Sequence, residues 1–187
     1  AYGNYSNKIY TPLTLKGYLD YMYNIDTCDM PDGAQWFLFP ECHDFHRATS
    51  KLVPLHNKES EATMRANLSR WTLTATLPGM PMIFNGFEKV EWHQVDHVSY
   101  SKINWDSEKD ISKELALINT IRHNSEALQE GKYTYIPVEG GLNDKTKIFT
   151  YARSTENEVV IVAINMDIHE RAGTVMHLPT VSNFNPE

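Results

Sequence analysis

The sequence predicts an α/β fold followed by an antiparallel β region. Two short apolar runs, Gln35–Phe39 and Met80–Phe84, are typical of doubly buried strands, because each is too brief for a helix and does not alternate. Amphipathic helical patterns lie before, between and after these runs. Alternating buried strands and helices indicate a parallel sheet with crossover connections. After Gly131 the composition changes to segments rich in β-branched and aromatic residues, which indicates an all-strand region.

The first two helices have recognisable ends. Thr14 is a candidate cap for a helix over Leu15–Asn24. Acidic and hydroxyl residues at Glu59–Glu61 are typical of a second helix start, and the Leu77–Gly79 sequence, with its proline and glycine, is a stop. The apolar face of this second helix is predicted to contain Met64, Leu68, Trp71 and Ala75.

The third helix and the later strands follow the same reasoning. Ser107 and Asp110 resemble a capping box ahead of an apolar stripe. The stripe consists of Ile111, Leu115, Ile118 and Ile121. The predicted strands of the last region are Tyr133–Val138, Lys147–Arg153, Val159–Asn165 and Thr174–Leu178.

Two domains are predicted, with the boundary after Leu128. Residues 1–128 supply only two convincing strands, and a two-stranded parallel sheet cannot cover both of its faces well. We therefore interpret residues 1–128 as part of a larger α/β architecture and residues 129–187 as a β domain.

Composition excludes several classes of function. The net charge is −7 and no basic cluster is present, which argues against nucleic-acid binding and against electrostatic attachment to membranes. No window approaches the roughly 18 apolar residues of a membrane span. The two cysteines, Cys28 and Cys42, fit no CxxC pattern, and two free thiols are expected in preference to a bridge.

The stretch ECHDFHR, Glu41–Arg47, crowds reactive side chains directly after the first predicted strand. From the residues alone three interpretations are open. His43 and Asp44 are typical of a solvated turn. The same pair with His46 could ligate a metal, assisted by His93 and His97. The stretch could also form the rim of an active site.

Several segments together resemble the α-amylase family of glycoside hydrolases. Glu41–Arg47 resembles the family's Asn-His-Asp followed three residues later by Arg, with Cys42 in place of the Asn. Leu77–Glu88, LPGMPMIFNGFE, is similar to the family's next barrel strand and its lead-in. Further similar segments in the family's order are INW at 103–105, IRHNSEALQEGKY at 121–133, FTYARS at 149–154 and VVIVAINM at 159–166.

This resemblance implies a fold and an activity. It implies the C-terminal portion of a (β/α)₈ barrel followed by an antiparallel β-sandwich, with the active site at the carboxyl ends of the barrel strands. It implies a retaining reaction at α-glucosidic bonds of an α-glucan or maltooligosaccharide. Asp44 would stabilise the transition state, His43 would bind the sugar, and Arg47 would be a substrate-side or supporting contact. The family's nucleophile and acid/base motifs do not occur upstream of Glu41, so we expect the isolated chain to be inactive.

Other expectations concern partners. Calcium is common in the resembled family, although no ligand set for it is evident here, and no other cofactor is indicated. The apolar side chains of Met64, Leu68, Trp71 and Ile83 are expected to stay partly uncovered, which predicts association with the rest of a barrel or with a second copy. The alternative function is a non-catalytic subunit of the same fold, either carbohydrate-binding or associated with a transporter.

Overall fold

The computed structural model describes residues 12–23, 31, 33–50, 61–96, 98–143 and 145–178. Several predictions fall on other residues: the N-terminal loop, the end of the loop near Lys58, the helix start at Glu59, and any role of Cys28 or His97. Among the described residues, no helix combines the length and the apolar character needed to cross a membrane.

The chain forms two compact units. The first, here called the α/β unit, contains Gln35–Ala75 and Gly79–Arg122. The second, here called the β unit, contains Tyr10–Ala34, Thr76–Pro78 and His123–Glu187. The predicted domain boundary after Leu128 stays a prediction.

The α/β unit is built on two parallel strands joined through a helix. Strand β1 (Phe37–Leu38) pairs with β2 (Met80–Pro81), and α2 (Glu61–Thr76) lies between them in the sequence. The ladder is extended by a hydrogen bond from the Met82 amide to the Leu38 carbonyl at 2.8 Å. The predicted parallel pair with a helical crossover is thus confirmed.

The strands are shorter and less buried than predicted. Instead of five residues each, two residues pair in β1 and two in β2, and Phe37 and Met80 are 58% and 50% exposed. The prediction of doubly buried strands was therefore wrong. Each strand has one neighbour within the described part of the chain, so the sheet there is too narrow to cover these side chains.

The turn into β2 requires a glycine. Gly79 has φ +134°, a conformation that side chains rarely adopt. A Cβ atom here would lie 2.6 Å from the Trp36 carbonyl oxygen. The helix ends at Thr76 just before this turn, as the Leu77–Gly79 sequence predicted.

The core of the α/β unit lies between α2, the loop after β2 and α3 (Ser112–His123). Met64 and Leu68 pack at its edge, and Ile83 is exposed, as expected. Trp71, however, is buried, and its indole Nε1 donates to Asn119 Oδ1 at 2.9 Å. The buried core residues are Ala48, Trp71, Ala75, Phe87, Val90, Ile111 and Leu115.

The capping box predicted at Ser107 and Asp110 does not form as such. Helix α3 begins at Ser112, and Asp110 Oδ1 accepts a hydrogen bond from the Ser112 amide at 2.9 Å. Ser107 Oγ instead accepts from the Lys109 amide, within a turn. Asp110 therefore supports the first turn of the helix, where a negative charge is favourable.

In the β unit, α1 (Pro12–Tyr23) begins earlier than predicted. Proline is well suited to a first helical turn, because the missing N–H has no helical partner there. Thr14 accordingly lies inside the helix and not at its cap. Its apolar stripe is buried at Leu15, Leu19 and Met22, and Tyr18 on the same stripe is half-buried.

A three-stranded antiparallel sheet follows the short helix α4 (Glu126–Glu130). Its order is β3 (Lys132–Tyr135), β4 (Ile148–Ser154) and β5 (Val159–Asn165). The first three predicted strands of this region are confirmed, although β3 ends earlier. The fourth, over Thr174–Leu178, is reduced to one bridge between Val138 and Met176.

We expect Leu115→Ala to lower the free energy of unfolding by about 2–5 kcal/mol, because it leaves a cavity in the core of the α/β unit. Leu117→Ala on the same helix is the matched control. Leu115 is 3% exposed and Leu117 is 61% exposed, so the control should change stability by less than about 0.5 kcal/mol. Urea unfolding of both variants measures the difference. Equal effects would contradict the packing of α3 described here.

Candidate functional site

The candidate site lies on the two loops that follow β1 and β2. The carboxyl ends of parallel strands meet at one edge of a sheet, which is where α/β proteins bind ligands. The first loop contains the stretch Glu41–Arg47, and the second runs from Met82 through His93. Both loops belong to the α/β unit.

A buried ion pair holds the first loop. Arg47 Nη1 donates to Glu41 Oε1 at 2.5 Å, and each residue is 1% exposed. The other carboxylate oxygen of Glu41 accepts from the Ala48 amide at 2.6 Å. Burial raises the pKa of Glu41, and the Arg47 charge opposes that rise. The loop is thereby closed on itself across seven residues.

The same guanidinium ties the first loop to the second. Arg47 Nη2 donates to the Asn85 carbonyl at 2.8 Å, and Nε donates to the His93 carbonyl at 3.2 Å. Its guanidinium carbon lies 4.5 Å from the centre of the Phe84 ring. These contacts of Arg47 are thus with the protein itself. Its predicted contact with a substrate stays a prediction.

His43 and Asp44 lie together at the exposed end of the first loop. His43 Nε2 is 3.4 Å from Asp44 Oδ1, and the two side chains are 63% and 61% exposed. They sit in a turn between the buried residues Cys42 and Arg47. The pair is therefore solvated, as the simple turn interpretation requires, but its backbone is fixed on both sides by buried residues.

Glu91 organises the second loop and was not identified from the sequence. One carboxylate oxygen accepts from the Trp92 amide, the His93 amide and His93 Nδ1, each at 2.9 Å. The other accepts from the Asn104 amide at 3.0 Å. Burial raises the pKa of Glu91, but these hydrogen bonds outweigh it, so the pKa lies below its ordinary value.

No sequence signal pointed to Glu91, because its partners are mainly backbone amides. The residue before it, Val90, has a left-handed backbone with φ 54°. Valine rarely adopts this conformation, so the sequence does not predict it. The contact with the Asn104 amide crosses thirteen residues without any periodic pattern. Such a network becomes visible only when the loop is folded.

One group of metal-binding side chains occurs among the described residues of the site. Atoms of Cys42, His43 and Asp44 that can ligate a metal all lie within 4.8 Å of one another. His46 and His93, which the sequence suggested as further ligands, are not part of this group. Calcium prefers six to eight oxygen ligands, so a thiol, an imidazole and one carboxylate do not fit it.

We expect Arg47→Met to cost about 3–5 kcal/mol of unfolding free energy, because it leaves the Glu41 carboxylate buried without its partner. The double variant Glu41→Gln with Arg47→Met should cost less than the sum of the two single variants. Arg65→Met is the control, since Arg65 is exposed and its ion pair with Glu61 is 3.5 Å long. Additive losses in chemical unfolding would show that the pair is not coupled.

The lowered pKa of Glu91 predicts a loss of stability in acid. A carboxylate whose folded pKa is depressed stabilises the fold above its unfolded pKa of about 4.3, and that stabilisation disappears as the pH falls through the folded value. Glu91→Gln should therefore lower Tm at pH 7 and flatten its decline towards pH 3, measured by thermal unfolding. Glu130→Gln, on an exposed helix end, is the control. Parallel pH profiles for Glu91→Gln and the unmodified chain would refute this account.

Comparisons with known proteins find distant relatives whose names all refer to α-glucan transferases or amylases. No protein-family model matches the chain. It is 26% identical over 147 residues to the alpha-1,4-glucan:maltose-1-phosphate maltosyltransferase of Rhodospirillum rubrum, covering 73% of this chain and 20% of that protein. It is also 26% identical over 137 residues to the alpha-amylase MalA of Haloarcula japonica, covering 72% of this chain and 18% of the relative.

Solved structures show a similar fold. The noncanonic maltogenic alpha-amylase AmyB from Thermotoga neapolitana matches 81% of this chain and 33% of its own, with a TM-score of 0.62 and 18% identity. An alpha-amylase from Geobacillus thermoleovorans, solved in complex with acarbose, matches 80% of this chain and 31% of its own, with a TM-score of 0.60 and 23% identity.

The chain spans about a fifth of the length of these curated relatives. Within that length its mixed α/β architecture with an antiparallel sheet corresponds to the fold of the solved structures. The chain therefore resembles the α-amylase family in both sequence and fold, as its motifs predicted.

Proposed function

We propose that this chain is the C-terminal portion of an α-glucan-active glycoside hydrolase or transglycosylase. The observation that carries the proposal is the exposed His43–Asp44 pair, fixed at the carboxyl end of β1 by the buried Glu41–Arg47 pair. The solved alpha-amylase in complex with acarbose supports an oligosaccharide-like ligand for this kind of fold.

The same proposal includes the architecture. Strands β1 and β2 would be the last two strands of a (β/α)₈ barrel, and the β unit would be a β-sandwich. The parallel pairing of Phe37 with Met80 and the crossover through α2 support the barrel assignment. The exposed side chains of these two strand residues are further support, because barrel strands are covered by neighbouring strands, which the described residues do not supply.

In the proposed reaction, Asp44 acts on the charge that develops at the sugar. A retaining glycosidase uses one carboxylate to attack the anomeric carbon while a carboxylic acid donates its proton to the departing oxygen. The C–O bond to the leaving sugar breaks and positive charge grows on the ring. Asp44 would accept hydrogen bonds from ring hydroxyls and stabilise that charge most strongly in the transition state.

His43 and Arg47 would play different parts. A neutral imidazole at His43 can donate a hydrogen bond to a sugar hydroxyl without opposing the developing charge. Arg47 is buried and donates hydrogen bonds to Glu41, Asn85 and His93. We assign it the role of a positioning residue that holds the His43–Asp44 turn against the second loop.

The attacking carboxylate and the proton donor would come from outside this chain. We expect the pure 187-residue chain to show no turnover of starch, maltodextrin or a nitrophenyl α-glucoside. Measurable hydrolysis by the pure chain would contradict this part of the proposal.

For the parent protein, the expected size is at least twice that of this chain, measured by intact mass of the natural polypeptide from source cells. In that polypeptide Asp44→Asn should lower kcat by about 10²–10³-fold, because it removes charge stabilisation from the transition state. Glu114→Gln on the exposed face of α3 is the control and should leave kcat unchanged. A natural polypeptide of this same size, or an Asp44→Asn variant with unchanged kcat, would favour the non-catalytic binding subunit instead.

The isolated chain should also associate. Phe37, Met80 and Ile83 expose large apolar side chains on or next to the parallel pair. Burying a few hundred Å² of such surface contributes several kcal/mol at about 25 cal/mol per Å². We expect sedimentation velocity to show self-association that weakens when Ile83 is replaced by Ser. A monomer at all concentrations would remove the basis for this expectation.

A further inference from the structure

The tripeptide Cys42-His43-Asp44 combines three different metal-binding groups in consecutive residues. A thiol, an imidazole and a carboxylate each place a ligating atom within 4.8 Å of the other two. Cys42 is buried, whereas His43 and Asp44 are exposed. The thiol thus forms the floor of the group, and the two polar side chains form its open rim.

We propose that these three residues bind a divalent cation of the zinc class. Zinc bonds of about 2.0–2.3 Å in tetrahedral geometry place neighbouring ligand atoms roughly 3.4 Å apart. Closing the group from 4.8 Å to that spacing needs movements of about 1 Å, which exposed His43 and Asp44 side chains can make. Three protein ligands leave a fourth position to water, as in open zinc sites.

The donor set also determines which cation is preferred. A thiolate selects soft or borderline metals, whereas calcium and magnesium prefer oxygen ligands. The thiolate form of Cys42 would be the ligand. The buried Glu41–Arg47 pair closes the backbone around this turn, so little chain entropy is lost when the cation binds.

This inference does not depend on the proposed sugar chemistry. The cation would occupy His43 and Asp44 in place of the sugar, so cation and sugar are alternative ligands of this turn, and cation binding is measured without any sugar. Failure of the activity experiments therefore leaves the metal site standing, and failure of the metal experiment leaves the proposed function standing.

The test uses the whole 187-residue chain carrying Cys28→Ser, so that Cys42 is the sole thiol. Titration with Co²⁺ should give a thiolate-to-cobalt absorption band that saturates at one metal per chain and is abolished by Zn²⁺. Zn²⁺ should also slow modification of Cys42 by a thiol reagent by at least about tenfold. Ca²⁺ at the same concentration should do neither.

Two variants assign the ligands. Cys42→Ser should lose the absorption band, and Asp44→Asn should weaken Zn²⁺ binding by at least about tenfold. Asp106→Asn, an exposed carboxylate outside the group, should bind as tightly as the unmodified chain. Retention of the band in Cys42→Ser, or unchanged reactivity of Cys42 with Zn²⁺, would overturn the proposal. If Cys42→Ser does not fold, two other measurements test the proposal. These are the effect of Zn²⁺ on the modification of Cys42 and the Zn²⁺ affinity of Asp44→Asn.

Discussion

The buried pair of Glu41 and Arg47 is the interaction on which the rest of the candidate site depends. A charge in a protein interior is costly unless it is paired and its remaining hydrogen-bonding groups are satisfied. Here the carboxylate also accepts a backbone amide, and the guanidinium also donates to two carbonyl groups of the next loop. This one ion pair therefore fixes both loops that follow the parallel strands. It also holds in place the backbone of the exposed residues His43 and Asp44, which lie between Glu41 and Arg47.

This arrangement divides one short polar stretch into buried and exposed side chains. Glu41 and Arg47 are buried and structural, whereas His43 and Asp44 project into solvent from the turn between them. The proposed transition-state contact of Asp44 would need a side chain held in place by its surroundings. The second loop is stiffened independently by Glu91, whose carboxylate gathers backbone amides from both its own turn and Asn104.

Sequence patterns predicted what depends on local chemistry. The crossover helix, its stop before Gly79 and the three antiparallel strands follow from periodicity and turn residues, and the structure confirms them. The motif resemblance predicted a site on the Glu41–Arg47 loop, and that prediction stays a prediction. Patterns failed where distant contacts decide the outcome. Burial of β1 depends on neighbouring strands, which a short stretch of sequence around β1 does not contain. Burial of Trp71 depends on α3, where Asn119 accepts a hydrogen bond from the Trp71 indole.

The pairing of β1 with β2 has a consequence for the stability of the α/β unit. Phe37 and Met80 are roughly forty residues apart, and closing a loop of that length costs about 3 kcal/mol of chain entropy. A ladder of two residues on each strand cannot offset that cost alone. The core that α2 forms with Ala48, Phe87 and Val90 of the two loops supplies the apolar burial that the ladder lacks. The parallel pair and this core therefore depend on each other for their stability.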